Sequence, residues 1–267
     1  MATDVSNELE RTDNLGPIVE AIDPRRLLLG LLGLAGFVGL WWFGSTLQPA
    51  YILPSPLAVA VTVQSEIASG TMQTALLDSV VHWLPGTVVG TTLGVAAGVA
   101  LGWSRVLDEA LTPVVRVLRP VPPLALIGFA IAWFGIGHAG AAFIIAIGAF
   151  WINFYAAYGG VEGVSDDLLD VARSLGVERQ IGLVRAVVLP ASLPEIMTGV
   201  RTGIGRCWML VVAAEIFGAP GIGRQIFRSA NSLQVDRVIA YILVLSVMFL
   251  LVDTAFRLLQ RRVLSWR

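Results

Sequence analysis

Residues 80–103 read VVHWLPGTVVGTTLGVAAGVALGW, a run with no Asp, Glu, Lys or Arg. An α-helix rises about 1.5 Å per residue, so about 20 such residues cross the hydrocarbon core of a bilayer. Hydrocarbon offers the backbone no hydrogen-bond partner, and a helix satisfies its own donors and acceptors. The run therefore reads as a membrane-spanning helix. Five more segments share its character, at residues 27–47, 122–136, 139–159, 196–217 and 238–259. The segment at 122–136 is the shortest, and Pro120, Pro122 and Pro123 crowd its start. No ten-residue alternation of the kind a membrane β-barrel needs is present. The expected fold is an all-α integral membrane protein with six transmembrane helices.

Composition agrees. The chain is 56% hydrophobic and only 14% charged, against about 25% charged in soluble domains, and its mean hydropathy is +0.77. The 28 glycines suit helices that approach closely in lipid. A net charge of −1 leaves no nucleic-acid footprint. The single cysteine, Cys207, excludes an internal disulfide framework. His82 and His138 are too isolated in sequence to suggest a metal site. No GxSxG or HExxH pattern points to an intramembrane enzyme, and no catalytic residue is expected. No internal repeat stands out.

Residues 1–26 form a polar, acidic segment that reads as a disordered cytoplasmic tail. Arg25 and Arg26 come late for a signal peptide and no cleavage site follows, so the first span is a retained helix. Residues 27–267 then form the membrane domain. All 18 basic residues are Arg. With six spans, thirteen arginines fall on the side of the termini and three (Arg224, Arg228 and Arg237) on the other. The positive-inside rule puts both termini in the cytoplasm. Between the first two spans, residues 53–70 read as a short helix, lying on the outer surface or simply connecting.

The loop over residues 160–190 is expected on the cytoplasmic side. Ser165 can cap a helix, Asp166 and Asp167 suit its first turn, and Gly176 can end it. Leu168, Leu169, Val171, Ala172 and Leu175 give this helix apolar faces. A projecting helix with such faces needs a partner.

The stretch Asp170-Val171-Ala172, then Gly176, Val187 and Leu189-Pro190, resembles the coupling ("EAA") loop of bacterial ABC-importer permeases. The likeness extends to Leu53-Pro54-Ser55-Pro56, Leu118-Arg119-Pro120-Val121-Pro122-Pro123-Leu124-Ala125, Trp133-Phe134-Gly135-Ile136-Gly137, Gly205-Arg206-Cys207-Trp208, Ala214-Glu215 and Gly221-Ile222-Gly223. These resemble the nitrate/sulfonate/taurine branch, whose importers use an extracytoplasmic binding protein. Asp170 stands where Glu is usual and Val171 where Ala is usual. Thirteen residues separate Gly176 from Pro190, one more than the family spacing, with the extra residue expected around 177–183.

The resemblance implies a permease of the prokaryotic inner membrane. It implies two permease copies, as a homodimer, over two copies of a cytoplasmic ATPase. This chain has no GxxxxGK[ST] phosphate loop, so ATP and Mg belong to the partner, and the chain binds no cofactor. The coupling contacts are expected at Asp167, Asp170, Ala172, Arg173, Ser174, Leu175 and Gly176. Arg206, Trp208 and Glu215 are candidates for the translocation path of a small anion such as sulfonate, taurine or nitrate. Bicarbonate, cyanate or a thiamine precursor are alternative cargoes. For Arg206 and Arg201 a structural pairing with Glu215 or Asp253 stays open, and for Trp208 packing is the favoured reading over lining the path. His82 is expected at an outer helix end, with Trp41, Trp42, Trp83, Trp103, Trp133 and Trp151 in an interfacial aromatic belt. An ATP-independent transporter or channel is the competing class, and it leaves the coupling loop unexplained.

Overall fold

The computed structural model describes residues 24–177 and 179–263. Among them every regular element is helical. They fall into two compact units, the first ending at Pro56 and the second beginning at Leu57. The tail expected over residues 1–26 lies outside the described residues, apart from its last three, which open the first helix.

The first unit is α1 (Pro24–Leu47) and the turn after it. Leu28, Leu32, Phe37, Leu40 and Phe43 are exposed around its circumference, as in a helix whose solvent is lipid. Trp41 Nε1 donates to the Pro54 carbonyl at 3.0 Å and ties the turn to the helix.

The second unit runs α2 (Pro56–Ala68), α3 (Thr71–Trp103), α4 (Arg105–Leu118), a 3-10 turn (Pro123–Leu126) into α5 (Ile127–Phe134), then α6 (His138–Glu162) and α7 (Asp166–Ser174). There follow α8 (Gln180–Leu183), a π turn (Val184–Val188), α9 (Leu189–Ile216), α10 (Ile222–Asn231) and α11 (Val235–Val263). Five helical stretches are long and apolar enough to cross a bilayer: Leu27–Leu47, Thr71–Trp103, His138–Glu162, Gln180–Ile216 and Val235–Gln260. A sixth exists if α4 and the segment Pro123–Phe134, bent 83° to each other, count as one. The expected third span is therefore corrected. Pro123–Phe134 rises only about 18 Å, because the prolines stop any helix before it and Gly135, at φ 73°, stops it after.

The opening stretch of sequence has a regularity that its apolar character hides. Gly86, Gly90, Gly94, Gly98 and Gly102 recur every four residues along one face of α3. A Cβ at each would run into the α6 carbonyls of Ala142, Ala146, Phe150, Phe154 and Tyr158 in turn. At Gly86 the overlap would be 2.6 Å from the Ala142 oxygen. The two backbones touch along their length, and this contact, rather than interlocking side chains, joins α3 to α6. The core beside it packs Trp83, Ile145, Ala149, Cys207, Trp208 and Val211 from α3, α6 and α9, with Leu245 and Phe249 of α11 against them.

Pro190 and Pro194 do not end α9. Pro190 lacks an N–H to bond back and its ring crowds the carbonyl four residues earlier. The π turn at Val184–Val188 opens the helix just there. A π turn holds one residue more than an α turn, and this one lies just past the 177–183 stretch.

Candidate coupling surface and translocation site

Helix α7 is two-faced. Leu169 and Ala172 are buried, and Leu169 packs with Val161 and Val188 in a cluster that Val99, Trp103, Val164 and Val187 adjoin. Leu168, Val171 and Leu175, at i, i+3 and i+7, point away and are 43%, 57% and 80% exposed. Such spacing makes one stripe on a helix. The polar residues flank it: Arg173 Nη1 bonds Asp170 Oδ1 at 2.8 Å and Ser174 Oγ donates to the Asp170 carbonyl at 2.9 Å.

The helix ends as the sequence suggests. Gly176 has φ 93°, its N–H bonds the Arg173 carbonyl at 2.9 Å, and the Val177 N–H bonds the Ala172 carbonyl at 3.1 Å. This is a Schellman ending, and the left-handed residue in it favours glycine. The start differs: Ser165 occupies the cap position but its side chain makes no capping bond. Of the expected coupling residues, Asp167, Asp170, Arg173, Ser174, Leu175 and Gly176 are exposed. Ala172 is not. It faces the bundle and seats the helix instead.

At the opposite end of α6, four titratable side chains meet. Glu215 of α9 and His82 of α3 are fully buried, and His82 Nε2 donates to Glu215 Oε1 at 2.8 Å. His82 Nδ1 lies 3.1 Å from His138 Nδ1, and His138 Nε2 lies 3.7 Å from Asp78 Oδ1. The other Glu215 oxygen accepts the Gly223 N–H, and Ser79 Oγ accepts the Ile222 N–H at 3.0 Å. Glu215 thus sits on the N-terminus of α10, where backbone donors and the helix dipole favour a negative charge. Gly221 lacks a side chain because one would occupy the carboxylate's place.

This arrangement corrects one expectation. His82 is interior, since α3 starts nine residues earlier than its apolar run. Glu215, a candidate for the path, is fully buried and joins α3, α9 and α10. A Glu215→Ala substitution leaves His82 Nε2 and the Gly223 N–H without partners, at about 1.5–3 kcal/mol for each charge-assisted bond. The purified protein is expected to lose thermal stability by several degrees, measured by size-exclusion after heating. An unchanged melting profile would show that the cluster does not clamp these helices.

Trp208 is also interior. Its ring meets Trp83 edge-on, with centroids 5.2 Å apart, and its Nε1 donates to the Leu245 carbonyl at 3.1 Å. Trp83 therefore leaves the aromatic belt. Arg201 pairs with Asp253 at 3.0 Å, one of the pairings the sequence left open. Arg206 does not pair; among the described residues it makes no ion pair. It lines a cavity of about 290 Å³ with Arg119, the proline run Pro120–Pro123, Gly148, Trp151, Ile152, Cys207 and Leu210. Sequence reasoning counted Arg119 among the thirteen arginines on the side of the termini and gave it no site role. The one available signal was its place ahead of three prolines, which mark a broken helix.

The family model described as binding-protein-dependent transport system inner membrane component matches residues 90–265. The chain is 33% identical over 243 residues to a putative aliphatic sulfonates transport permease protein of Bacillus subtilis, covering 89% of this chain and 87% of that one. It is 32% identical over 250 residues to the taurine transport system permease protein of Escherichia coli, covering 91% and 90%. Its fold matches a chain of the inward-facing MetNI methionine ABC transporter with a TM-score of 0.67 at 18% identity, over 74% of this chain and 98% of that chain. The chain belongs to the inner-membrane components of binding-protein-dependent transport systems: it is a multi-pass permease subunit of an ABC importer, whose ATPase is a separate partner.

Proposed function

We propose that this permease imports a small organic or inorganic anion, with sulfonates as the leading class, and that α7 is the helix through which the ATPase drives it. The carrying observation is the exposed stripe Leu168, Val171 and Leu175 on a helix held to the bundle by its other face. A seated helix with an apolar outer face has the form of a docking element. The relatives named for aliphatic sulfonates and taurine, and an unpaired Arg206 on an apolar span, support an anionic cargo.

In this reading the termini and α7 are cytoplasmic, as the arginine distribution favours. Two copies of this chain form a two-fold pair over two ATPase subunits. An arginine such as Arg206 costs about 2.5–3.5 kcal/mol at the bilayer centre unless it faces protein or water, which a second copy enclosing an aqueous path provides. ATP and Mg bind the partner, and the binding protein delivers cargo from outside. ATP-driven closure of the ATPases draws the two α7 helices together.

The test is co-expression with the ATPase and binding protein, followed by ATPase measurement in nanodiscs. Binding protein loaded with a sulfonate is expected to stimulate hydrolysis several-fold, and unloaded protein much less. A chain that purifies without an ATPase and passes solute without ATP would defeat the coupling role of α7.

A further inference from the structure

We propose that Arg119 and Arg206 together form the head-group site for the transported anion, and that the rest of their cavity selects an anion with an apolar body. The inference rests on the anion-importer reading above and deepens it.

Depth is the first argument. Arg206 lies ten residues before the end of α9 at Ile216, and Gly148 lies ten residues after the start of α6 at His138. Each is about 15 Å along its helix from that end. That is half the thickness of a hydrocarbon core of about 30 Å. The α6 and α9 walls of the cavity therefore lie about half a hydrocarbon core in from those helix ends, and Arg119 and Arg206 are both among its lining residues.

Charge is the second. Neither Arg119 nor Arg206 makes an ion pair among the described residues, whereas Arg201, Arg237 and Arg257 each have a carboxylate partner. An arginine kept without a protein counter-ion at the depth of Arg206 calls for water and a visiting anion. Arg119 is also held in place: its Cζ sits 4.5 Å from the centroid of the Tyr155 ring. The ring orients the guanidinium without neutralising it. Two planar forks of this kind suit the oxygens of a sulfonate or carboxylate.

Backbone is the third. The cavity wall includes the break between α4 and α5, residues 119–123. Non-helical backbone at membrane depth is tolerated where it lines a cavity and not where it meets lipid. Broken helices mark substrate sites in other transporters for this reason.

The remaining wall is apolar: Val121, Pro122, Trp151, Ile152 and Leu210. About 290 Å³ falls at the small end of ligand pockets. Nitrate or bicarbonate would use the two arginines and leave this wall without a partner. A short-chain organic sulfonate uses both.

The experiment measures binding of radiolabelled butanesulfonate to the purified permease–ATPase complex in nanodiscs, without binding protein. The wild type is expected to bind it. Arg119→Gln and Arg206→Gln are each expected to weaken binding by about tenfold or more, with Arg206→Lys intermediate. In competition on the wild type, nitrate is expected to be at least about tenfold weaker than unlabelled butanesulfonate, and butyltrimethylammonium inactive. No binding, indifference to both substitutions, or nitrate competing as well as butanesulfonate would overturn the proposal. The competition needs no variant, so it stands even where a substitution impairs folding. Uptake into proteoliposomes with loaded binding protein separates the two levels. Import of a sulfonate with a negative binding assay sinks the two-arginine site alone, while import restricted to a neutral or cationic solute sinks the anion reading itself.

Discussion

Gly94→Ala is expected to destabilise the protein, and Gly94→Leu to leave almost none of it folded. A Cβ at Gly94 would lie 3.1 Å from the Phe150 carbonyl carbon and closer still to its oxygen. The obstacle is helical backbone, which cannot rotate aside as a side chain can. Overpacking in a core costs about 1–3 kcal/mol. Here the displacement is shared by Gly90 and Gly98, one turn away on either side, so the cost for Leu exceeds that range. Gly159 on α6 provides the comparison, because a Cβ there meets nothing within 4 Å. Gly159→Ala is expected to be neutral or slightly stabilising, since Ala exceeds Gly in helix propensity by up to about 1 kcal/mol. The measurement is the monodisperse fraction of each variant on size-exclusion chromatography after solubilisation. Equal yields for Gly94→Leu and wild type would show that α3 and α6 do not need their close approach.

The second large effect is expected on α7. Val171→Glu combined with Leu175→Glu places two carboxylates in the exposed stripe without touching Leu169 or Ala172. Full burial of an aliphatic side chain contributes about 1.5–3 kcal/mol, and a charge left unpaired in the contact adds a penalty. A loss of about 3 kcal/mol or more corresponds to at least about a hundredfold weaker association. The permease is expected to stay folded and lose its ATPase in pull-down. Leu169→Glu should do the reverse, harming the permease itself before any partner is involved. If the double variant retains a full complement of ATPase, the stripe is not the docking face.

Much of this was legible in the sequence, for identifiable reasons. Apolar runs located the long spans because lipid demands them. The two faces and the glycine terminator of α7 were readable because helix periodicity and a positive φ leave marks in residue type. What escaped depended on neighbours distant in sequence. Residues 71–79 carry Gln73 and Asp78 and fall outside the apolar run, yet they belong to α3. That extension moved His82 from a helix end to an interior contact with Glu215. Arg119 drew no attention as a site residue because a linear reading cannot show that the break after α4 lines a cavity with residues of α6 and α9. Packing was the favoured reading of Trp208, but its partner Trp83, on a distant helix, was not legible. The glycine spacing was present in the letters, but its meaning needed the α6 carbonyls on the other side.

The backbone contact between α3 and α6 has a mechanical consequence. Two helices whose backbones touch along five successive glycines have little slack to absorb a displacement, so they are expected to tilt together. α6 spans 25 residues, about 37 Å at the α-helical rise, with α7 carried just past one end and His138 at the other. A displacement at the α7 end is expected to be carried along this lever to the far end, against the helices that His82 and Glu215 hold together.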